Sequence, residues 1–200
     1  MALIVSTLKD DLFSAFRSMS NGDNKVYSQK VSAAVKKYAE SGSIATVDKG
    51  TVSAGAYVGA GTGKITVDES ICEKIVYAAC TTMDGMKSGG NDYLAERLTS
   101  GIHTMVSAGE VKTDVTGTVT SGGSSSPLGG KATGKMTGVP APMQTAFTTA
   151  FNSMDSMKSG GDEYKAQQVS IAIDAYLKAA TANTNGSGAI SGSAGTGKMT

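Results

Sequence analysis

Three apolar stripes of the same helical period open three successive stretches of the chain. Leu8, Leu12, Phe13, Phe16 and Met19 form the first; Ile75, Ala79, Cys80, Met83 and Met86 repeat it, as do Ala146, Ala150, Phe151, Met154 and Met157. Residues three and four apart share one face of an α-helix, so each stripe predicts an amphipathic helix. Each ends at a polar break: Ser20-Asn21-Gly22-Asp23-Asn24, Ser88-Gly89-Gly90-Asn91-Asp92 and Ser159-Gly160-Gly161-Asp162. Gly there supplies a left-handed C-terminal cap, and Asn or Asp caps the next helix. Second helices are predicted over 26–41, 93–108 and 164–180. Their apolar places are Val31, Val35 and Tyr38, then Leu98, Ile102 and Met105, then Val169, Ile173 and Tyr176. Two such helices across a short link make an αα-hairpin.

After each hairpin the pattern changes. Val111, Val115 and Val119 occupy odd-numbered places among Thr, Lys, Asp and Gly, a strand pattern with weak burial. Residues 44–58 are a looser version and 182–194 looser still, which leaves the third strand doubtful. Gly59, Gly61 and Gly63, with their later counterparts, disfavour helix and permit tight turns or close approach of another backbone. Strands this polar need neighbours, either the sister tails or the edge of another chain. The expected fold class is α+β, mainly α: three tandem repeats, each an αα-hairpin followed by a Gly/Thr-rich β or extended tail, over 1–66, 67–137 and 138–200.

The repeats can be overlaid residue by residue. Shifts of 67 and 138 positions bring Phe13 onto Cys80 and Phe151, Phe16 onto Met83 and Met154, and Gly22 onto Gly89 and Gly160, with no gap through both helices. Each repeat closes on one pentapeptide: Thr62-Gly63-Lys64-Ile65-Thr66, Thr133-Gly134-Lys135-Met136-Thr137 and Thr196-Gly197-Lys198-Met199-Thr200. A box written three times points to structure, because an active site needs building only once.

The 200 residues therefore divide into modules near the lower size limit for a self-sufficient core, which predicts that they lean on each other or on partner chains. Net charge is +1 and no basic run emerges, so specific nucleic-acid binding has little support. The start, Met1-Ala2-Leu3-Ile4-Val5, is too short and lacks the basic flank of a signal peptide, and no apolar run reaches membrane-spanning length; synthesis in a cytoplasm is expected. Cys72 and Cys80, about 12 Å apart by helical rise, are too distant to bridge each other and read as reduced core residues.

Candidate chemistry is thin. Gly129 with Gly134 and Lys135, and Gly192 with Gly197 and Lys198, have part of a phosphate-loop spacing, but Met follows each Lys and no helix opens there. His103 takes the place of Lys36 and Asp174 in the sister helices, an exposed face, and Cys72, Cys80 and His103 lack zinc-ligand spacing. Asp84 and Asp155 recur where the first copy has Arg17, which suggests a cap or surface role. Met83, Met86, Met154 and Met157 read as core at helical spacing. No catalytic, cofactor-binding or metal-binding residues are assigned, and no cofactor is expected. The candidate interaction turns are Thr62, Gly63 and Lys64; Thr133, Gly134 and Lys135; and Thr196, Gly197 and Lys198.

The run from Val106 to Val119, Tyr38-Ala-Glu-Ser-Gly42 and Gly59-Ala-Gly-Thr-Gly63 resemble modules of tailed-bacteriophage virion proteins, in which a helix ending in Tyr-x-x-x-Gly precedes a Thr/Val-rich strand. The resemblance implies a non-enzymatic component of a neck, tail, baseplate or capsid surface. Independently, three covalent repeats suit a partner of threefold or sixfold symmetry, so the expected partners are protein subunits of a larger assembly, in a homo- or hetero-oligomer. Two other readings remain: an anion- or glycan-binding module using the three Lys-bearing turns, and a hydrolase using Ser or Cys72 with His103.

Overall fold

The computed structural model describes residues 3–19, 23–154, 156–157 and 159–200. Three times in succession, two helices are followed by two strands: α1 (Val5–Met19), α2 (Asn24–Ser41), β1 (Ile44–Val52) and β2 (Gly55–Thr66); α3 (Glu69–Met83), α4 (Gly90–Ala108), β3 (Glu110–Ser121) and β4 (Ser124–Thr137); α5 (Ala141–Met154), α6 (Gly161–Ala179), β5 (Thr181–Ser187) and β6 (Ser193–Met199). The six strands close into an antiparallel barrel in chain order. Each helix packs on the next and α6 packs back on α1, so the helices also form a closed ring.

This corrects the expected fold class. The β parts are not tails appended to a mainly helical body. Each folds into a β-hairpin, and the three hairpins join edge to edge through β2–β3, β4–β5 and β6–β1. The alternation of Val111, Val115 and Val119 does mark a strand, and its weak burial is enough because the sheet is closed. Closure removes every edge, and a six-strand barrel has a narrow interior that few side chains fill. The third tail, doubtful by sequence, turns Ala182, Thr184, Ser193 and Gly195 inward and supplies both of its strands.

The gap-free overlay is also corrected. The buried places are Leu8, Leu12, Ala15 and Phe16 in α1; Cys72, Val76, Ala79 and Cys80 in α3; Met143, Phe147, Ala150 and Phe151 in α5. Phe16, not Phe13, therefore matches Cys80 and Phe151, and Phe13 is only partly buried. The second helices do keep the expected register: Tyr27, Leu94 and Lys165 correspond, as do Val35, Ile102 and Ile173. The first connection is thus three residues shorter than the other two. A three-residue slip is nearly one helical turn, so it leaves an apolar stripe on almost the same face and a pattern overlay cannot detect it.

Local chemistry sets the helix starts. The Asp23 carboxylate accepts from Val26 N at 2.9 Å, and Asp68 accepts from Ser70 N at 3.0 Å. Gly89 and Gly160 precede α4 and α6 with φ of 76° each, so Asn91, Asp92 and Asp162 fall inside the first turn rather than at the cap. Gly22 and Asp155 lie outside the described residues. One apolar cluster fills the helical ring and continues into the adjoining barrel mouth through Ile44, Ile65, Val111, Met136, Ala182 and Met199. A smaller cluster of Val52, Tyr57, Val115, Val119, Ala132 and Ile190 closes the far part of the barrel.

Candidate functional site

The first two pentapeptides lie within β2 and β4, and the third runs along β6 to Thr200 just past it; none lies in a turn. Each central Gly sits in two ladders at once: Gly63 opposite Ile44 and Thr113, Gly134 opposite Val111 and Thr184, Gly197 opposite Thr46 and Ala182. A methyl group at Gly63, Gly134 or Gly197 would come within 1.8, 1.8 or 1.9 Å of the carbonyl oxygen of Lys112, Asn183 or Ala45. Those carbonyls belong to the next hairpin, so glycine is what lets one repeat's hairpin join its neighbour's. Ladder membership also leaves no cradle of free amides for a phosphate.

Two of the box lysines turn back to the helices. Lys135 Nζ donates to Ala108 O at 2.7 Å, and Lys198 Nζ donates to Ala179 O and, at 3.0 Å, to Thr181 Oγ1. Ala108 and Ala179 end α4 and α6, where carbonyls lack intrahelical partners and the helix dipole favours a cation. Lys64 is exposed on β2. Thr62, Thr133 and Thr196 are exposed on the outer barrel wall.

Between repeats, the second helices touch through matched positions with different chemistry. Tyr38 Oη donates to Asp174 Oδ1 at 2.7 Å, and Tyr176 Oη shares a 2.8 Å hydrogen bond with His103 Nδ1. Lys36, the counterpart of His103 and Asp174, lies 3.3 Å from the Glu69 carboxylate. His103 is therefore partly buried and engaged, rather than on the solvated face expected for it. Burial, together with the bond to Asp174, pushes the Tyr38 hydroxyl above its usual range. Cys72 and Cys80 are free and buried, and burial pushes each thiol up to about 11. Met83 and Met154 are half-buried, whereas Met86 and Met157 are exposed at the connections, so only part of the methionine stripe is core. Asp84, in the α3–α4 connection, accepts from Asn24 Nδ2 of the first repeat at 2.9 Å.

Two buried charges escaped the sequence reading. Lys165 stands where the sister helices carry Tyr27 and Leu94, with Nζ 4.5 Å from the Phe16 ring centre and 4.3 Å from that of Phe151. Burial lowers its pKa to about 8. Asp48 stands in the barrel where the sister strands carry Val115 and Gly186, fully buried. A charge at a place where both sister repeats are apolar or Gly was the available signal.

The outer faces also differ. Between α5 and α6 a groove of about 520 Å³ is lined by Val139, Met143, Ala146, Ile171, Ala175 and Tyr176. The matching groove of the first repeat is about 110 Å³, and the Asp11–Lys37 ion pair spans it at 2.7 Å where Ala146 and Ala175 stand in the third. Among the described residues, no group of three or more His, Cys, Asp or Glu could hold a metal ion, and no helix is long and apolar enough to cross a membrane. No family model matches the chain, and neither does any curated protein or solved structure.

Proposed function

We propose that the protein is a non-enzymatic assembly component of a tailed-bacteriophage particle, at the neck, tail, baseplate or capsid surface, seated with its pseudo-threefold axis on a threefold or sixfold axis of its neighbours. The observation that carries this reading is the double closure. Among the described residues, a ring of six helices and a barrel of six strands are each built by three αα–ββ units in turn, so one chain presents three related faces around one axis. The residues repeated most faithfully hold that architecture together: the box glycines admit the neighbouring hairpin, and Lys135 and Lys198 close helix ends. The groups that a hydrolase would need are otherwise engaged, with His103 bonded to Tyr176 and the thiols buried.

The faces are related but unequal, which suits a chain that must settle on a symmetric partner in one orientation. The first groove is crossed by an ion pair and the third is open and apolar. Mass spectrometry of particles purified from cells that make the protein should find it at a fixed, stoichiometric copy number, and a reconstruction should place it on a symmetry axis. Absence from the particles would overturn the proposal.

A further inference from the structure

We infer that the barrel lumen holds one monovalent metal cation, sodium or potassium, between the carboxylate of Asp48 and the hydroxyl of Thr184. Asp48 and Lys165 are the only buried charged side chains among the described residues. They cannot neutralise each other. Lys165 lies near the start of α6, and the helix rises about 20 Å before Ala179 meets the barrel. Inside the barrel, Asp48 Oδ2 accepts from Thr46 Oγ1 at 2.7 Å, but Oδ1 has no protein partner. Thr184 is 2% exposed, and its Oγ1 is likewise unpartnered.

The two orphaned oxygens meet over the same glycine. A methyl group on Gly195 would lie 2.1 Å from Asp48 Oδ1 and 2.5 Å from Thr184 Oγ1. Gly61 gives the matching relief on the other side, where a methyl would lie 2.4 Å from Thr46 Oγ1 and 3.1 Å from Asp48 Oδ2. In the second repeat the corresponding places hold Ala132 and Val115, so that sector is closed with hydrocarbon. Glycine thus makes room on both sides of the Asp48 carboxylate.

The donor chemistry identifies the class of ligand. Thr46, Thr113 and Thr184 place one buried hydroxyl from each repeat in the lumen. An all-oxygen set favours a hard cation, and a single carboxylate balances one positive charge; divalent sites gather more carboxylates than this. A carboxylate buried without a partner is costly, and a cation removes that cost.

Thermal melting in potassium, sodium and choline chlorides at equal ionic strength tests the assignment. The metal salts should raise Tm over choline by about 3–5 °C once the ion exceeds its dissociation constant about tenfold. Asp48→Asn and Thr184→Val should each abolish that difference. Should either variant fail to fold, anomalous scattering from wild-type crystals soaked in rubidium chloride decides, with a peak expected beside Asp48 Oδ1. Equal melting in all three salts, a cation effect that survives in Asp48→Asn, or no rubidium peak in the lumen would overturn the inference.

Discussion

In the helical ring each repeat buries large side chains, such as Leu12, Phe16, Val76, Leu98, Phe147 and Ile173, whereas the middle of the barrel, between its two apolar ends, buries Thr46, Thr113, Ala132, Thr184, Gly61 and Gly195. The ring is held by apolar volume. Its stripes are wide, its rings pack on one another (Phe147 and Phe151 at 6.2 Å), and a charge as awkward as Lys165 is tolerated between aromatic faces. The barrel is held by backbone ladders and by the absence of side-chain volume. Its walls approach so closely that the places least able to change are those with no side chain at all. Repetition therefore constrains the two halves differently: the ring needs hydrophobic atoms of about the right total volume, and the barrel needs their absence at fixed positions.

The sharpest way to break that contrast is to add volume to the barrel. Gly134→Ala puts a methyl where Asn183 O already stands, 1.8 Å away. We expect a loss above about 4 kcal/mol, or no folded protein, by urea denaturation followed by circular dichroism. Gly129→Ala in the same strand meets its nearest atom, Val115 O, at 3.1 Å and should be much milder. Equal tolerance at the two positions would refute close approach as the reason for the Thr-Gly-Lys box. Removing volume from the ring comes next in size. Phe147→Ala, fully buried beside Phe151, should cost about 3–5 kcal/mol and still fold.

The same contrast explains what could be read from the residues alone. The helices announce themselves through stripes such as Val31, Val35 and Tyr38, because burying large side chains leaves a periodic trace. The register of α1 could not be read, since Phe13, Phe16 and Met19 offer apolar groups at each turn and a three-residue slip changes little. The second strand of every hairpin was invisible for the opposite reason. Gly59, Gly61 and Gly63 look like punctuation in a one-dimensional pattern, and only the closed barrel makes them wall residues. Lys135 and Lys198 were legible as repeated chemistry but not as helix caps, because the carbonyls they meet lie 27 and 19 residues away. Asp48 and Lys165 are not legible from what the repeats share, because both are departures from it.

Lys165 sharpens the comparison from the ring side. Its folded-state pKa, about 8, lies below the 10.5 of an ordinary lysine, so between these values the unfolded chain binds more protons than the folded one. Stability contributed by this group therefore rises as pH increases from 8 toward 10.5, and the burial penalty is fully present below 8. The raised thiols of Cys72 and Cys80 act in the opposite sense above their usual value of 9. The informative quantity is thus the difference between wild type and Lys165→Leu, the residue of the sister helix at Leu94. At pH 7 the variant should be more stable by about 2 kcal/mol, and its advantage should shrink as pH climbs above 8. A variant less stable than wild type at pH 7 would mean that the two phenyl faces more than offset the desolvation of the ammonium.

The smallest expected effect lies where ring and barrel meet. Lys135 and Lys198 are barrel residues whose amines hydrogen-bond the last carbonyls of α4 and α6, whereas Lys64 is exposed at the matching place and makes no hydrogen bond or ion pair among the described residues. Lys135→Met and Lys198→Met keep the aliphatic stem and remove the charge and donors, and each should cost about 0.5–1 kcal/mol at low salt. Lys64→Met should cost less than about 0.3 kcal/mol, within the range of an exposed surface change. Salt screens a helix-end charge, so the penalties at 135 and 198 should narrow in concentrated sodium chloride while that at 64 stays flat. Urea midpoints for the three variants at two ionic strengths read this directly. If all three lysines cost the same, the pentapeptide's charge acts through the barrel surface as a whole and not through the helix ends, and the seam between the two halves is held by backbone and apolar contacts alone.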